Sequence, residues 1–255
     1  MPTALITGAS SGIGEAFARA LAARGDDVVL VARSAGRLET LAAELTASHG
    51  VRAHVLPADL ADPGAVDALV ASLAARELMV ETLINNAGFG THGEFASLDG
   101  ARERDEVLVN VLAPVMLTHA LLPAMIARKS GAIVNVGSTA SFQPVPYMAV
   151  YGATKAFVLS FSEALAEEVR AHGVRVVALC PGQTDTAFFE GIDDARIGRA
   201  RTTKQVVDTA LRALKRGRVV AIDGFANYAL ANSNRLAPRR LVARIAAMIE
   251  RPKRT

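Results

Sequence analysis

The chain has 255 residues, of which 51% are hydrophobic, 5% aromatic and 21% charged, with a formal net charge of +3. That length is enough for one large domain with its own core. The apolar fraction excludes disorder, and 20 Gly and 10 Pro without a period exclude a fibrous class. A single cysteine, Cys180, excludes an internal disulfide and a cysteine zinc cluster. Met1–Ser10 lacks the basic and apolar run of a leader, so the expectation is a cytoplasmic protein without a metal.

The charge is unevenly placed. Residues 226–255 hold seven Lys and Arg against one acid, Glu250, so the basic character belongs to the tail, and no nucleic-acid partner is expected.

In chain order, Ala4–Thr7 predicts a strand and Gly12–Arg24 a helix with apolar residues at helical spacing. Asp27–Ala32 predicts a strand too continuously apolar for a wet face. Ser34 is the expected N-cap of a helix to about Ser48, followed by a strand at Val51–Leu56. Asp62-Pro63 reads as an N-cap with proline at the first helical position, opening a helix to about Glu77. Strands are expected at Thr82–Asn85, Ala132–Val136, Val174–Leu179 and Val219–Ile222, with helices over 101–128, about 150–171 and 204–216. Val107–Ala127 carries no charge and is long enough to span a bilayer, but Asn110, Pro114, Thr118, His119 and Pro123 favour a buried helix. The alternation predicts an α/β fold: a doubly wound parallel sheet of about seven strands with helices on both faces, in one domain. A flap over about 183–203 and a basic helical extension over about 226–255 complete it.

Chemistry concentrates at strand ends. Thr7-Gly8-Ala9-Ser10-Ser11-Gly12-Ile13-Gly14 lies between the first strand and first helix, where free N–H groups and the helix dipole receive a pyrophosphate. Its spacing is G-x3-G-x-G, and alone it is only a glycine-rich turn. Further on come Asn85-Asn86-Ala87-Gly88, then Ser138, then Tyr151 and Lys155 four apart on one helix face, then Pro181-Gly182-Gln183-Thr184.

In this order, and over essentially the whole chain, the set resembles the short-chain dehydrogenase/reductase family, in its branch of about 250 residues with TGxxxGxG and YxxxK motifs. The resemblance implies a Rossmann-type enzyme that passes hydride between a nicotinamide and a carbonyl carbon. Tyr151 would handle the proton, Lys155 would lower the tyrosine pKa and hold the ribose, Ser138 would bond the substrate oxygen, and Asn110 would hold a water of the proton relay. A free tyrosine near pKa 10 needs a shift of about 3 units to act as a base at neutral pH, which Lys155 together with an oxidised nicotinamide is expected to supply.

For the cofactor, the resemblance points to Gly8, Ser10, Ser11, Gly12, Ile13 and Gly14 at the phosphates. Asp59 and Leu60 would lie at the adenine, Asn86, Ala87 and Gly88 along the adenosine, and Pro181, Gly182 and Thr184 at the carboxamide. At the end of the second strand Arg33 stands where an acid would select NAD, with Asp26 and Asp27 at the wrong end, so NADP(H) is expected over NAD(H). An ordinary surface arginine is the bland alternative. Ser138, Gln143, Tyr151, Phe188 and Phe189, with Phe89, Phe142, Val145, Tyr147 and Ile192 nearby, suggest a small apolar ketone, aldehyde or alcohol. The paired phenylalanines are equally readable as flap core.

In the tail, Leu241, Val242, Ile245, Met248 and Ile249 share a helical face, with arginines mostly on another. It is expected to dock on its own domain or a second subunit, with a membrane surface as the less favoured reading. A homodimer through the long helices is expected, with a tetramer possible. A non-catalytic NADP-binding regulator and a membrane-surface lipid or 3-oxoacyl reductase remain the rival functions.

Overall fold

The computed structural model describes residues 1–186, 188, 200–233 and 237–252. The strands β1 (Thr3–Thr7) and β2 (Asp27–Val31) are buried at every position, as only a sheet covered on both faces allows. They are joined by β3 (Ala53–Val55), β4 (Val80–Asn85), β5 (Gly131–Val136), β6 (Val174–Cys180) and β7 (Val220–Ile222). Among the described residues the sheet has seven strands, in the order β3-β2-β1-β4-β5-β6-β7, all pairings being parallel. The order reverses between β1 and β4, and at that switch point the carboxyl ends of the strands open a crevice.

The helices are α1 (Gly12–Ala22), α2 (Ala35–His49), α3 (Ala65–Ala75), α4 (Gly100–Val107), α5 (Ala113–Ala127), α6 (Ala149–Val169), α7 (Thr203–Lys215), α8 (Phe225–Ser233) and α9 (Arg239–Ile249). Alternate strand residues feed two separate cores. Ile6 and Leu30 pack with Phe17, Leu38 and Val206 of α1, α2 and α7. Leu5 and Val29 pack on the other face with Leu69, Leu117 and Leu165 of α3, α5 and α6.

The local differences from expectation have identifiable causes. Ser34 precedes α2 but its side chain makes no capping bond. Asp62 does not start a helix: its carboxylate accepts from Gly64 N–H and its carbonyl from Ala65 N–H, so Pro63 sits in a turn and α3 begins at Ala65. The helix expected over 101–128 contains a π-turn at Leu108–Leu112, with Ala113 N–H bonded five residues back to Leu108. Pro114 has no N–H to give the carbonyl of Asn110, so the α-helical ladder is interrupted there by the sequence itself. The segment Gly100–Ala127 is long and apolar enough to cross a membrane, and its Val109, Ala113, Leu117 and Met125 pack against the sheet.

The flap is pinned at its root. Thr184 and Arg201 form an isolated parallel bridge, and Arg201 makes two bonds of 2.9 and 3.1 Å to the fully buried Asp223. Phe189 and Ile192 of the flap, and Lys253–Thr255 of the tail, lie outside the described residues. In α9 the buried positions are Val242 and Ala246, whereas Leu241, Ile245 and Met248 are exposed. The apolar face expected for docking is therefore divided, because the domain receives only the narrow stripe one turn apart.

Candidate active site

The turn after β1 is a close fit of backbone on backbone. Gly8 has φ +66, and a Cβ there would lie 2.7 Å from the Asn86 side chain. At Gly14 a Cβ would overlap the carbonyl oxygen of Gly8, so α1 can start this near the strand only with glycine. Ser11 is the N-cap of α1, yet its hydroxyl makes no cap bond, which leaves the N–H groups of the first turn without a side-chain cap. The second wall is tied on by Thr7, whose hydroxyl accepts the N–H groups of Asn86 and Ala87, both at 2.9 Å. Asn86 Nδ2 donates back to the Thr7 carbonyl at 2.9 Å. A glycine cradle with an uncapped helix N-terminus suits a dinucleotide pyrophosphate, so the residues present fit the expected cofactor.

Arg33 is exposed just beyond β2. Ser10 and Arg37 share a cleft of about 360 Å³ with Thr40 on α2, lined also by Arg19, Glu15 and Glu44; Arg37 is a cation that the sequence reading missed. Asp59 is exposed and accepts from Ala61 N–H, while Leu60 is buried in the core beside it. Pro181 and Thr184 are buried and Gly182 half-buried, and the Pro181 carbonyl accepts from Thr139 N–H at 2.9 Å, joining this loop to the one bearing Ser138.

Ser138 caps a short 3-10 turn, Thr139–Phe142, its hydroxyl accepting from Ala140 N–H at 3.1 Å. Ser141 donates to the Lys155 carbonyl at 2.7 Å and accepts from Ser138 N–H, so this turn is locked to α6. Tyr151 is buried, with Ser138 close enough to lower its proton affinity. Lys155 is buried one turn later, with Nζ donating to the Val136 carbonyl at 2.9 Å and lying 5.7 Å from the Tyr151 ring centre. Asn110, in the π-turn, bonds both backbone groups of Phe89 and donates to Thr154 Oγ1 at 3.1 Å. Gly88 sits between Asn110 Oδ1 and Lys155 Nζ, where a Cβ would lie 2.8 and 3.4 Å from them. Ser138, Tyr151, Lys155 and Asn110 are thus gathered around one crevice.

Burial dominates the proton affinities of the site in the protein without its cofactor. Burial pushes the Tyr151 phenol up to about 12, against a smaller lowering by Ser138. The Lys155 ammonium donates to the Val136 carbonyl, and burial brings its pKa down to about 8. In the protein alone, Tyr151 is held as a proton donor. Cys180 lies behind them, pushed up to about 12 by burial, and stays a thiol.

The mouth of the crevice is apolar. Val145, Met148 and Tyr151 form a small buried cluster joined by Phe188, whose ring centre is 5.6 Å from that of Tyr151. Gln143 and Phe142 are half-buried in the same loop. Tyr147 adopts φ +66, unusual for a bulky residue, and its carbonyl accepts from Gly93 N–H at 2.8 Å, which holds the loop after β4 against α6. His92 in that loop has Nε2 2.8 Å from the Glu250 carbonyl, so the end of α9 reaches the same rim. Thr91, Glu103 and Glu106 form a buried cluster nearby that the sequence reading did not find, because GARERDEV reads as a solvated helix.

The fold and this crevice define an NAD(P)-dependent oxidoreductase acting between CH–OH and C=O groups. Residues 2–197 match the family described as short chain dehydrogenase, and the chain belongs to the short-chain dehydrogenase/reductase family. It is 44% identical to the sulfoacetaldehyde reductase of Chromohalobacter salexigens over 72% of either chain. It is also similar to a solved short-chain dehydrogenase from Sphingobium yanoikuyae in complex with NADPH. The identity there is 37% and the TM-score 0.83, covering 92% of this chain and 94% of that one. The bulky-bulky ketone specific alcohol dehydrogenase of Comamonas testosteroni matches at 34% identity and a TM-score of 0.80, covering 92% of each chain.

Proposed function

We propose that the protein is an NADP(H)-preferring reductase of largely apolar ketones or aldehydes, working reversibly, with Tyr151 as the general acid and base. The observation that carries this reading is the placement of a buried, protonated Tyr151 between Ser138 and an apolar mouth formed by Val145, Met148 and Phe188. When bound, the nicotinamide supplies or accepts the hydride. Tyr151 donates its O–H proton to the carbonyl oxygen as that oxygen gains charge, and Ser138 donates a second hydrogen bond to the same oxygen. Lys155, still mostly cationic at neutral pH with its value near 8, favours the phenolate left behind. Asn110 holds the loop from Gly88 to Phe89 in place beside Lys155.

The NADP preference is supported by Arg33 at the end of β2 and Arg37 beside Ser10, two cations suited to a 2′-phosphate. The NADPH complex of the Sphingobium relative and the bulky ketones of the Comamonas enzyme are in keeping with both halves of the proposal. The test is NADPH oxidation against a panel of apolar ketones, aldehydes and 3-oxoacyl thioesters, with NADH in parallel. Turnover lost in Tyr151→Phe supports the mechanism. NADH binding as tightly as NADPH sinks the preference, and failure of either to bind sinks the cofactor reading.

The working form we propose is a cytoplasmic homodimer. A groove of about 440 Å³ runs between α4–α5 and α6, lined by Phe95, Val107, Val111, Ala149, Val150 and Phe157. Phe157, Leu112 and Met116 are exposed around it, a surface suited to a second copy. Light scattering that finds only monomer refutes this. A membrane-surface reading is favoured by one feature, the exposed Leu241, Ile245 and Met248 of α9 near Arg240 and Arg244. Retention of liposome binding after deletion of 236–255 would exclude that helix as the cause.

A further inference from the structure

Two carboxylates of the charged helix α4 are inside the protein: Glu103 is 8% exposed and Glu106 is fully buried. Among the described residues neither has a basic partner in hydrogen-bond or ion-pair contact. They are held by Thr91, in the loop after β4. The Thr91 hydroxyl lies 2.5 Å from Glu103 Oε1 and 3.1 Å from Glu106 Oε2, and Thr91 N–H donates to Glu106 Oε2 at 3.1 Å. The remaining oxygens, Glu103 Oε2 and Glu106 Oε1, are buried without a hydrogen-bond partner among the described residues.

The proton count of this cluster follows from the geometry. A threonine hydroxyl has one hydrogen and can donate to one carboxylate oxygen; the second contact is a hydrogen bond only if that carboxyl carries a proton. The shorter contact has the length of a hydroxyl donating to a charged carboxylate, which makes Glu103 the acceptor and Glu106 the protonated partner. Ionising both would leave two charges side by side with two unsatisfied oxygens. Burial accordingly pushes Glu106 up to about 7, with Glu103 adding to the rise and the Thr91 bonds and Lys155 opposing it.

The cluster stands behind the catalytic helix. α4 packs against α6, Asn110 follows Glu106 by four residues, and negative charge on Glu106 raises the proton affinity of both Tyr151 and Lys155. Glu106 is bonded by Thr91 from the loop, and the titratable groups that feel its charge are Glu103 on its own helix and Tyr151 and Lys155 on α6. Arg102 lies over the Phe89 ring, Arg104 is paired with Asp105, and His92 is turned to Glu250. Cys180, facing Lys155, remains a thiol.

We propose that the Thr91-bridged Glu103–Glu106 pair, holding one shared proton, is a positioning element that sets the pH range over which Tyr151 and Lys155 keep theirs. The inference rests on the catalytic reading of Tyr151 and Lys155 given above. As Glu106 gives up its proton near pH 7 the cluster gains a negative charge. That charge draws protons onto Tyr151 and Lys155, so proton donation to a ketone persists to higher pH.

The experiment is kcat/KM for acetophenone reduction by NADPH against pH, in wild type, Glu106→Gln, Glu103→Gln and Thr91→Val. Carboxyl carbon NMR of glutamate-labelled wild type is run beside it. In Glu106→Gln the alkaline limb should fall by about half a unit to one unit, about a three- to tenfold loss of rate on that limb. At pH 6, where the wild-type pair already holds its proton, the two rates should converge. In the spectra one buried glutamate should titrate near neutrality, and its titration should disappear in Glu106→Gln. An equal loss at every pH marks a merely structural role and overturns the proposal, as does wild-type protein in which no glutamate titrates above pH 6. If Glu106→Gln does not fold, Thr91→Val and the wild-type titration decide; if acetophenone is not turned over, the titration decides alone. Turnover surviving in Tyr151→Phe is a different failure, that of the catalytic reading itself.

Discussion

The nucleotide end of the sheet and the C-terminal third are built on opposite plans. Around Thr7–Gly14 and Asn86–Gly88 the structure is backbone against backbone, with Thr7 bonded to two N–H groups and Gly14 pressed on the carbonyl of Gly8. Around α8 and α9 it is side chain on surface: Ala231, Val242 and Ala246 are buried while Phe225, Tyr228, Leu241, Ile245 and Met248 are exposed. The first region tolerates almost no change because nothing there can move independently. The second can be rewritten one face at a time, which is how one fold serves many substrates.

The sharpest break of this contrast is at the chemistry between the two regions. Tyr151→Phe should lower ketone reduction by about 10²- to 10⁴-fold, with NADPH affinity measured by fluorescence nearly unchanged. On the nucleotide side, Gly14→Ala should cost about 3 kcal/mol in urea unfolding, since its methyl meets a backbone carbonyl that cannot yield. Arg33→Ala should raise the KM for NADPH about tenfold or more while leaving NADH untouched, and equal effects on both would show that Arg33 is only a surface charge. On the C-terminal side, Val242→Ala should cost about 1 kcal/mol, with a measurable change in ketone KM because α9 ends at His92 on the rim of the crevice.

What could be read from the sequence follows the same divide. The seven strands, the glycine turn and the Tyr151–Lys155 spacing all rest on backbone geometry and periodicity, which leave a mark in residue type at fixed intervals. Pro114 was visible four residues after Asn110, and the π-turn that holds Asn110 follows from its missing N–H, though no periodicity announces it. Asp62-Pro63 misled because an Asp-Pro pair opens a turn as readily as a helix, and only the bond to Gly64 decides. Glu103 and Glu106 were hidden for a tertiary reason: a helix with five charged residues in eight looks solvated until Thr91 is brought against it by a loop from another strand. The direction of the Lys155 ammonium was hidden likewise, because four-residue spacing places it on the same face as Tyr151 without saying that Nζ would turn to Val136.

The joined ends of the flap have a consequence for how this enzyme can change. Thr184 is bridged to Arg201, and Arg201 is clamped to Asp223 directly after β7, so the two anchors are held together. The cost of closing a flexible loop grows only with the logarithm of its length, about 0.6 kcal/mol for each doubling. Insertions, deletions or whole transplanted segments between these anchors are therefore cheap for the fold, and that stretch of chain is a cassette that can be exchanged while the sheet and its strand ends stay where they are.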